Sequence, residues 1–121
     1  MASILIVEDD ESVRSFTARA LQIDGHTVDQ ADDGDVGLEK VVAKGGSYDL
    51  VLSDIRMPAM DGIAMAREIA KDFPDQKILL MTGYAEQRER ARDVAKIVVD
   101  VVQKPFTLAD IRAAVAKALA A

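Results

Sequence analysis

The sequence predicts an α/β domain whose parallel β-sheet is covered by helices on both faces. The apolar runs at residues 4–7, 50–52 and 78–81 are continuous, as expected for strands buried on both faces. Segments with helical periodicity separate these runs, and this alternation is typical of βα units. With 121 residues, half of them apolar, the chain is long enough for one such domain and is not a disordered chain.

Two further segments predict the edges of the sheet. Residues 27–31 alternate between apolar and polar side chains, which suits an edge strand. Residues 97–102 are apolar apart from Asp100, and we predict the opposite edge strand there. Five right-handed βα units form a doubly wound, three-layer fold with strand order 2-1-3-4-5 and five helices. The order reverses between the first and third strands, and ligands bind outside the carboxyl ends of strands at such a point.

Apolar residues at helical spacing predict the helices. In chain order they are Val13, Phe16, Thr17, Ala20 and Leu21; Leu38, Val41 and Val42; Ile63, Ala66, Ile69, Ala70 and Phe73; and Leu108, Ile111, Val115, Ala118 and Leu119. Gly37 is expected to weaken the second helix. A further helix at residues 86–95 is mostly charged and has only Ala91, Val94 and Ala95 to face a core. It is either weakly anchored and able to shift at low cost, or a solvated helix with no signalling role.

The composition excludes several classes of protein. The chain has no cysteine, so disulfides, thiol nucleophiles and Cys-based zinc sites are excluded. A net charge of −6 argues against general nucleic-acid binding, which rests largely on cationic contacts to phosphate.

No signal peptide or apolar run of membrane-spanning length is found, so we expect a cytoplasmic protein without a membrane or nucleic-acid partner. Because the last predicted helix runs to residue 121, we expect one domain over residues 1–121 and no output domain.

Polar residues follow four of the predicted strands. After the first, third, fourth and fifth strands come Glu8-Asp9-Asp10, Asp54, Thr82-Gly83 and Lys104-Pro105-Phe106. Because the carboxyl ends of parallel strands lie at one edge of a sheet, these groups are expected to form one small site. The site would hold several carboxylates, one hydroxyl and one ammonium. It is suited to binding a hard cation and to phosphorylation of a carboxylate.

The clustered acids predict a magnesium site. Two unit charges about 4 Å apart repel by about 4 kcal/mol at an effective dielectric constant of 20, so three carboxylates raise one another's pKa or bind a cation. Mg²⁺ suits them because it prefers oxygen ligands, retains waters and also accepts phosphate oxygens. Asp9 or Asp10 can instead cap the helix that starts near Glu11, and three acids suffice for both roles.

Asp54 is the candidate nucleophile. A metal-bound aspartate can attack phosphorus to give an acyl phosphate, which brings additional negative charge and acceptor oxygens. Lys104 can offer a compact cation to one phosphoryl oxygen, and Thr82 a hydroxyl donor to another. Taken singly, these two residues are an ordinary surface lysine and a strand-end hydroxyl, and their joint position favours the site. Pro105 can hold a cis peptide bond that directs Lys104 inward.

Together these motifs resemble the receiver domain of two-component response regulators, which has a flavodoxin-like fold. The resemblance covers the whole chain and includes Ser53-Asp54-Ile55-Arg56-Met57-Pro58-Ala59-Met60-Asp61-Gly62. It implies that Asp54 accepts a phosphoryl group from a phosphohistidine of a histidine kinase or phosphotransfer protein. It also implies a Mg²⁺ site formed by Glu8, Asp9, Asp54 and the backbone carbonyl of Arg56.

The resemblance further implies a switch. Thr82 and Lys104 would read the phosphoryl group and change the surface near residues 84–121, which binds a downstream protein. Within the family, Gly25-His26, Thr82-Gly83-Tyr84-Ala85 and Leu119-Ala120-Ala121 resemble a solitary receiver that acts in cell-cycle control with an ATP-dependent protease. This implies a stand-alone regulator that catalyses only its own phosphorylation and dephosphorylation and is otherwise not an enzyme.

The chain departs from the family pattern at two positions. Many receivers carry Tyr or Phe three residues before the lysine as a rotating switch, and here that position is Val101. Tyr84 is either a substitute for this aromatic or a half-exposed loop residue. Glu8 replaces the commoner aspartate, so its longer side chain can meet Mg²⁺ through water. His26, the only histidine, is expected in the turn before the second strand, which argues against an internal phosphohistidine relay.

Other functions were compared with this one. An aspartyl-phosphate phosphatase resembling the haloacid-dehalogenase-like enzymes needs a second acid two residues after the nucleophile, where this chain has Arg56. A flavodoxin-like cofactor carrier needs uncharged phosphate-binding loops, and the acids here would repel its phosphate. The sequence leaves open whether the protein is a terminal effector or a phosphorelay intermediate that passes the phosphoryl group to another histidine protein.

Overall fold

The sheet has the predicted topology. The computed structural model describes residues 2–83 and 89–121, and its five strands are parallel in the order β2-β1-β3-β4-β5. Their bounds are β1 (Ser3–Val7), β2 (Thr27–Ala31), β3 (Leu50–Asp54), β4 (Ile78–Thr82) and β5 (Asp100–Gln103). The reversal between β1 and β3 and the edge positions of β2 and β5 are therefore confirmed.

The described residues include four α-helices with both ends described, which are α1 (Glu11–Ile23), α2 (Gly34–Ala43), α3 (Gly62–Asp72) and α4 (Leu108–Ala120). A helical stretch at residues 89–91 leads into a 3₁₀ helix (Arg92–Val94). Each α-helix begins after a residue whose side chain accepts a hydrogen bond from a first-turn backbone N–H, and these caps are Asp10, Asp33, Asp61 and Thr107. No helix in this part of the chain has the length and hydropathy needed to cross a membrane.

Alternate strand residues face two separate cores. Leu5 and Val7 point to a core covered by α2 and α3, whereas Ile4 and Ile6 point to a core covered by α1 and α4. The middle strand β3 is buried at all five positions. Burial on both faces explains why the central strands are continuous apolar runs. The three-layer architecture is thus the one predicted.

The fifth strand is shorter than predicted. It begins at Asp100, and the N–H groups of Ile97 and Val98 instead donate to the carbonyl of Val94 at 2.9 and 3.1 Å. These two apolar residues therefore close a helical turn that packs against the core. Hydrophobicity alone did not distinguish this turn from a strand.

The predicted helices needed four corrections. Phe16 is 41% exposed and Val42 is 54% exposed, so neither belongs to a core; α1 buries Ala18 in addition to the predicted Thr17. Gly37 does not merely weaken α2, because a Cβ there would lie 2.8 Å from the sulfur of Met65. Its missing side chain lets α2 approach the rest of the core closely.

The charged segment is described in part. Residues 84–88 lie outside the described residues, and residues 89–91 are helical and lead into the 3₁₀ helix. Ala91 and Val94 are buried as predicted, whereas Ala95 is exposed. Two small apolar contacts therefore anchor this part of the chain.

Candidate functional site

Three acidic side chains meet at the carboxyl ends of β1 and β3. Oxygen atoms of Glu8, Asp9 and Asp54 lie within 4.8 Å of one another, and we call these three residues the acidic site. The neighbouring Asp10 has a different role, because its Oδ1 accepts a hydrogen bond from the N–H of Val13 at 3.0 Å and caps α1. Asp10, rather than Asp9, is therefore the helix cap.

Lys104 connects the last strand to the acidic site. Its Nζ lies 2.5 Å from Oε1 of Glu8 and 3.1 Å from Oδ2 of Asp54. The lysine follows β5, its N–H donates to the carbonyl of Thr82 at 2.7 Å, and the Lys104–Pro105 peptide bond is cis. One ammonium group thus partly neutralises two carboxylates that come from different strands.

Burial shapes the electrostatics of the acidic site. Glu8 is 1% exposed and Asp54 is 7% exposed. Burial raises the pKa of Glu8 to about 7, and nearby Asp54 adds to this effect while Lys104 opposes it. Burial opposes the charge of Lys104, but its hydrogen bond to Glu8 and the charge of Asp54 outweigh this, so its pKa is raised. Excess negative charge remains at the site, which favours a cation.

The donor atoms fit a hard divalent cation. Oε2 of Glu8 is buried and has no hydrogen-bond partner among the described residues, so one acidic oxygen remains available. Oδ1 of Asp54 accepts a hydrogen bond from the N–H of Ile55 at 3.0 Å. The acids border an open recess of about 800 Å³, which Arg56 also lines. Mg²⁺ prefers carboxylate oxygens and retains several waters, for which the open recess has room.

The remaining predicted residues divide between the acidic site and a neighbouring recess. Gly83 lines the acidic recess, whereas Thr82 and Val101 line a second recess of about 630 Å³. The other residues that line this second recess are Glu89, Ala91, Arg92, Ala95, Val98, Val99, Asp100 and Gln103. We call this second recess the switch recess. Thr82 is 1% exposed, and Val101 is half-buried. Tyr84 lies outside the described residues.

His26 lies near the amino end of β1, at the opposite end of the strands from the acidic site. Its Nδ1 accepts a hydrogen bond at 3.1 Å from the N–H of Ala2, which precedes β1. The acidic site lies at the other end of β1, beyond Val7. The ring is therefore remote from Asp54, as the sequence predicted.

Sequence reasoning missed three residues that support the site. Arg14 on α1 donates to the backbone carbonyl of Glu8. A Cβ on Gly62 would lie 2.1 Å from the carbonyl oxygen of Asp54, so this glycine allows α3 to begin directly against the end of β3. Arg90 donates to the carboxylate of Asp61. The Asp61-Gly62 pair that ends the motif at residues 53–62 could have indicated a special backbone position at Gly62. Arg14 and Arg90 are identified only by contacts between distant parts of the fold.

The family of this chain follows from its sequence as well as its fold. Residues 4–116 match the response regulator receiver domain. The chain belongs to this family, which consists of signalling regulators. It is 41% identical over 107 residues to the sensor kinase CckA of Brucella abortus, covering 88% of this chain but 11% of that kinase. It is 37% identical over 111 residues to the response regulator receiver protein CpdR of the same organism, covering 92% of this chain and 91% of CpdR.

Solved structures agree with this assignment. The response regulator TrrA from Thermotoga maritima, solved in complex with Mg²⁺ and BeF, superposes with a TM-score of 0.86 at 34% identity and covers 98% of this chain and 99% of TrrA. A receiver domain protein from Clostridium thermocellum superposes with a TM-score of 0.89 at 27% identity, with 99% of this chain and 95% of that one covered. The resemblance to receiver domains is therefore confirmed.

Proposed function

We propose that this chain is a stand-alone response regulator in which Asp54 accepts a phosphoryl group. Mg²⁺ would be held by Glu8, Asp9, Asp54 and the backbone carbonyl of Arg56. The observation that carries this proposal is the convergence of three carboxylates and the Lys104 ammonium at one edge of the sheet. We also propose that residues 1–121 act without an output domain, which the alignment over 91% of CpdR supports. We further propose that the protein acts in the cytoplasm.

The proposed reaction is phosphoryl transfer from a phosphohistidine. A carboxylate oxygen of Asp54 forms a bond to phosphorus while the phosphorus–nitrogen bond of the donor breaks, and the leaving imidazole nitrogen keeps the electron pair and takes up a proton. Bound Mg²⁺ would supply positive charge for the phosphoryl oxygens. Lys104 already contacts Asp54 and holds a second positive charge where the product gains negative charge. The chain would catalyse only its own phosphorylation and dephosphorylation.

The proposed output is a change in partner binding. Phosphorylation would draw the Thr82 hydroxyl toward the acidic site and alter the switch recess that Thr82 shares with Val101. Glu89, Arg92 and Gln103 line this recess. The surface near residues 84–121 would bind a downstream protein in one of its two states. From the resemblance of Gly25-His26, Thr82-Gly83-Tyr84-Ala85 and Leu119-Ala120-Ala121 to a solitary receiver, we further propose a partner in an ATP-dependent protease system with a role in cell-cycle control.

A relay role is the second candidate. The identity to the sensor kinase CckA, 41%, is higher than the identity to CpdR, 37%. A receiver that resembles part of a sensor kinase can pass its phosphoryl group to another histidine protein instead of binding an effector. A phosphatase role is disfavoured because Arg56 occupies the position of the second acid.

The acceptor assignment is tested by phosphorylation with acetyl phosphate or a phosphorylated histidine kinase, with and without Mg²⁺. We expect labelling of the unmodified chain that is lost in Asp54→Ala and after chelation of Mg²⁺. Asp49→Ala is the matched control, since this exposed aspartate precedes the same strand and should still be labelled. Equal labelling of Asp54→Ala, or labelling that survives chelation, would overturn the assignment.

The two output roles are separated by a binding experiment. Lysate is passed over the immobilised chain and over Asp54→Ala, each with and without Mg²⁺ and beryllofluoride. Recovery of a protein that binds only the beryllofluoride-treated chain or only the untreated chain supports an effector. Recovery of histidine phosphotransfer proteins, followed by transfer of label to them, supports a relay.

A further inference from the structure

We propose that Arg14 is a positioning residue for the acidic site: it holds the backbone of Glu8 so that the Glu8 carboxylate faces the metal. This inference rests on the proposed Mg²⁺ site and adds a residue that lies outside it. Arg14 belongs to α1, whose capping residue Asp10 is separated from Glu8 only by Asp9. The arginine therefore reaches back from the helix to the strand end that precedes it.

The backbone of Glu8 is held on two sides. Its carbonyl oxygen accepts a hydrogen bond from Nη1 of Arg14 at 2.8 Å, and its N–H donates to the carbonyl of Ala31 at 3.0 Å. The guanidinium is itself oriented, because its Nε donates to Oε1 of Gln30 on β2 at 3.3 Å. Arg14 thus joins α1, the end of β1 and the edge strand β2 through a single planar group.

Glu8 needs such support because its carboxylate lies in an unfavourable place. The side chain is 1% exposed and lies close to the carboxylates of Asp9 and Asp54. Like charges and burial both oppose this position. Lys104 donates a hydrogen bond to Oε1, and Oε2 has no hydrogen-bond partner among the residues described. If the Glu8 carbonyl lost its partner, the strand end could turn and carry the carboxylate away from the cation.

The charge of Arg14 and its positioning of Glu8 have opposite effects on the affinity for Mg²⁺. A cation close to a metal site repels Mg²⁺, so its charge alone would weaken metal binding. A group that orients a ligand strengthens binding, and loss of such a group costs about 10-fold or more in metal affinity. Removal of the Arg14 guanidinium therefore distinguishes the two roles by the sign of the change. A purely structural residue would lower stability and leave the metal affinity unchanged.

The experiment compares Arg14→Gln with Arg19→Gln, which removes an exposed arginine and the same charge from the same helix. The dissociation constant for Mg²⁺ is measured by titration calorimetry at fixed ionic strength, and urea unfolding monitors the fold. We expect Arg14→Gln to bind Mg²⁺ about 10-fold more weakly than the unmodified chain. We expect Arg19→Gln to bind as tightly or slightly more tightly.

A second variant tests the positioning role of Arg14 if Arg14→Gln does not fold. Gln30→Ala removes the partner of the Arg14 Nε from an exposed strand position, and we expect a smaller loss of Mg²⁺ affinity. The proposal is overturned if the folded Arg14→Gln binds Mg²⁺ as tightly as Arg19→Gln, or if Gln30→Ala, used in its place, binds like the unmodified chain. If the unmodified chain itself binds no Mg²⁺, the proposed function is wrong and this inference fails with it.

Discussion

Arg90 donates a hydrogen bond to Asp61 across 29 residues of sequence and so ties the segment after β4 to the loop after β3. Asp61 also caps α3, since its Oδ1 accepts a hydrogen bond from the N–H of Ala64 at 2.8 Å. The loop that ends at Asp61 begins at the candidate acceptor Asp54. One carboxylate therefore joins the loop after β3, the start of α3 and the segment that lines the switch recess.

This arrangement predicts a pH-dependent contribution of Asp61 to stability. Burial opposes the charge of Asp61, but hydrogen bonds from Ala64 and Arg90 outweigh it, so its pKa is lowered. A carboxylate with a lowered pKa in the folded state stabilises the fold above its unfolded pKa of about 3.9, and this contribution is lost as the pH falls through the folded pKa. Asn also caps helices, so Asp61→Asn removes mainly the charge.

We expect Asp61→Asn to lower the free energy of unfolding by less than about 1 kcal/mol at pH 6, since the ion pair is partly exposed. The difference should shrink as the pH falls below about 4 in urea unfolding series. Asp61→Ala should cost about 1 kcal/mol more because the cap is lost too. A difference between Asp61→Asn and the unmodified chain that stays constant over this pH range would contradict the prediction.

Asp9→Asn should weaken Mg²⁺ binding without destabilising the metal-free protein. Asp9 is exposed, does not cap α1 and lies among like charges, so its removal relieves repulsion. We expect the free energy of unfolding to stay the same or rise by up to about 2 kcal/mol. Calorimetric Mg²⁺ titration and urea unfolding provide the two measurements. An unfolded Asp9→Asn, or an unchanged Mg²⁺ affinity, is the contrary result.

Asp10→Ala serves as the contrast to Asp9→Asn. It also removes an acidic charge next to the acidic site, but it deletes the cap of α1. We expect a loss of about 1 kcal/mol in the free energy of unfolding and a smaller change in Mg²⁺ affinity.

Gly62→Ala should destabilise the protein because the backbone of Gly62 lies very close to the end of β3. An added Cβ would lie 2.1 Å from the carbonyl oxygen of Asp54, so α3 or the strand must shift. We expect a loss of about 1–3 kcal/mol in thermal or urea unfolding, together with slower phosphorylation. Gly83→Ala is the steric control, since among the described residues no atom beyond its chain neighbours lies within 4 Å of the added Cβ. Equal stability of the two variants would show that the close approach is unimportant.

Tyr84 remains the predicted relay of the phosphorylation signal. It lies outside the described residues, but it follows Thr82 closely in sequence, and Thr82 and Val101 line the adjacent switch recess. A tyrosine ring could occupy space that phosphorylation vacates there, and a bias of about 1–3 kcal/mol suffices to change the state of the neighbouring surface. Tyr84→Ala should therefore still be phosphorylated but lose most of the phosphorylation-dependent change in partner affinity.

Tyr84→Phe separates the two ways in which the ring can act. It should retain the response if ring packing matters and lose it if the hydroxyl bond matters. Partner binding and the amide shifts of residues 83–102 are measured with and without beryllofluoride. If Tyr84→Ala responds like the unmodified chain in both measurements, Tyr84 is only a loop residue.

The sheet and the position of the site were predictable because they depend on local patterns. Continuous apolar runs identified the buried strands, and the polar residues directly after them had to meet at one sheet edge. Glu8, Asp54 and Lys104 could thus be brought together before any contact was known. The family resemblance then gave these residues their expected roles.

Features that depend on contacts between distant residues were not predictable in this way. The exposure of Phe16 follows from the exact rotation of α1 against the sheet, which a broad apolar stripe does not define. Ile97 and Val98 have the composition of a strand, yet their N–H groups bond back to Val94. Arg14 lies at an unremarkable helix position, and only the approach of the Glu8 carbonyl gives it a role.

The ion pair between Lys104 and Glu8 spans 96 residues, so the acidic site is completed by a residue that follows β5, the last of the five strands along the chain. A nascent chain on the ribosome exposes Glu8, Asp9 and Asp54 long before Lys104 emerges. Such a chain lacks the ammonium that balances these acids, and it lacks β5 at the edge of the sheet. The balance of charge around the candidate acceptor Asp54 therefore depends on a contact that forms only after β5 has joined the sheet.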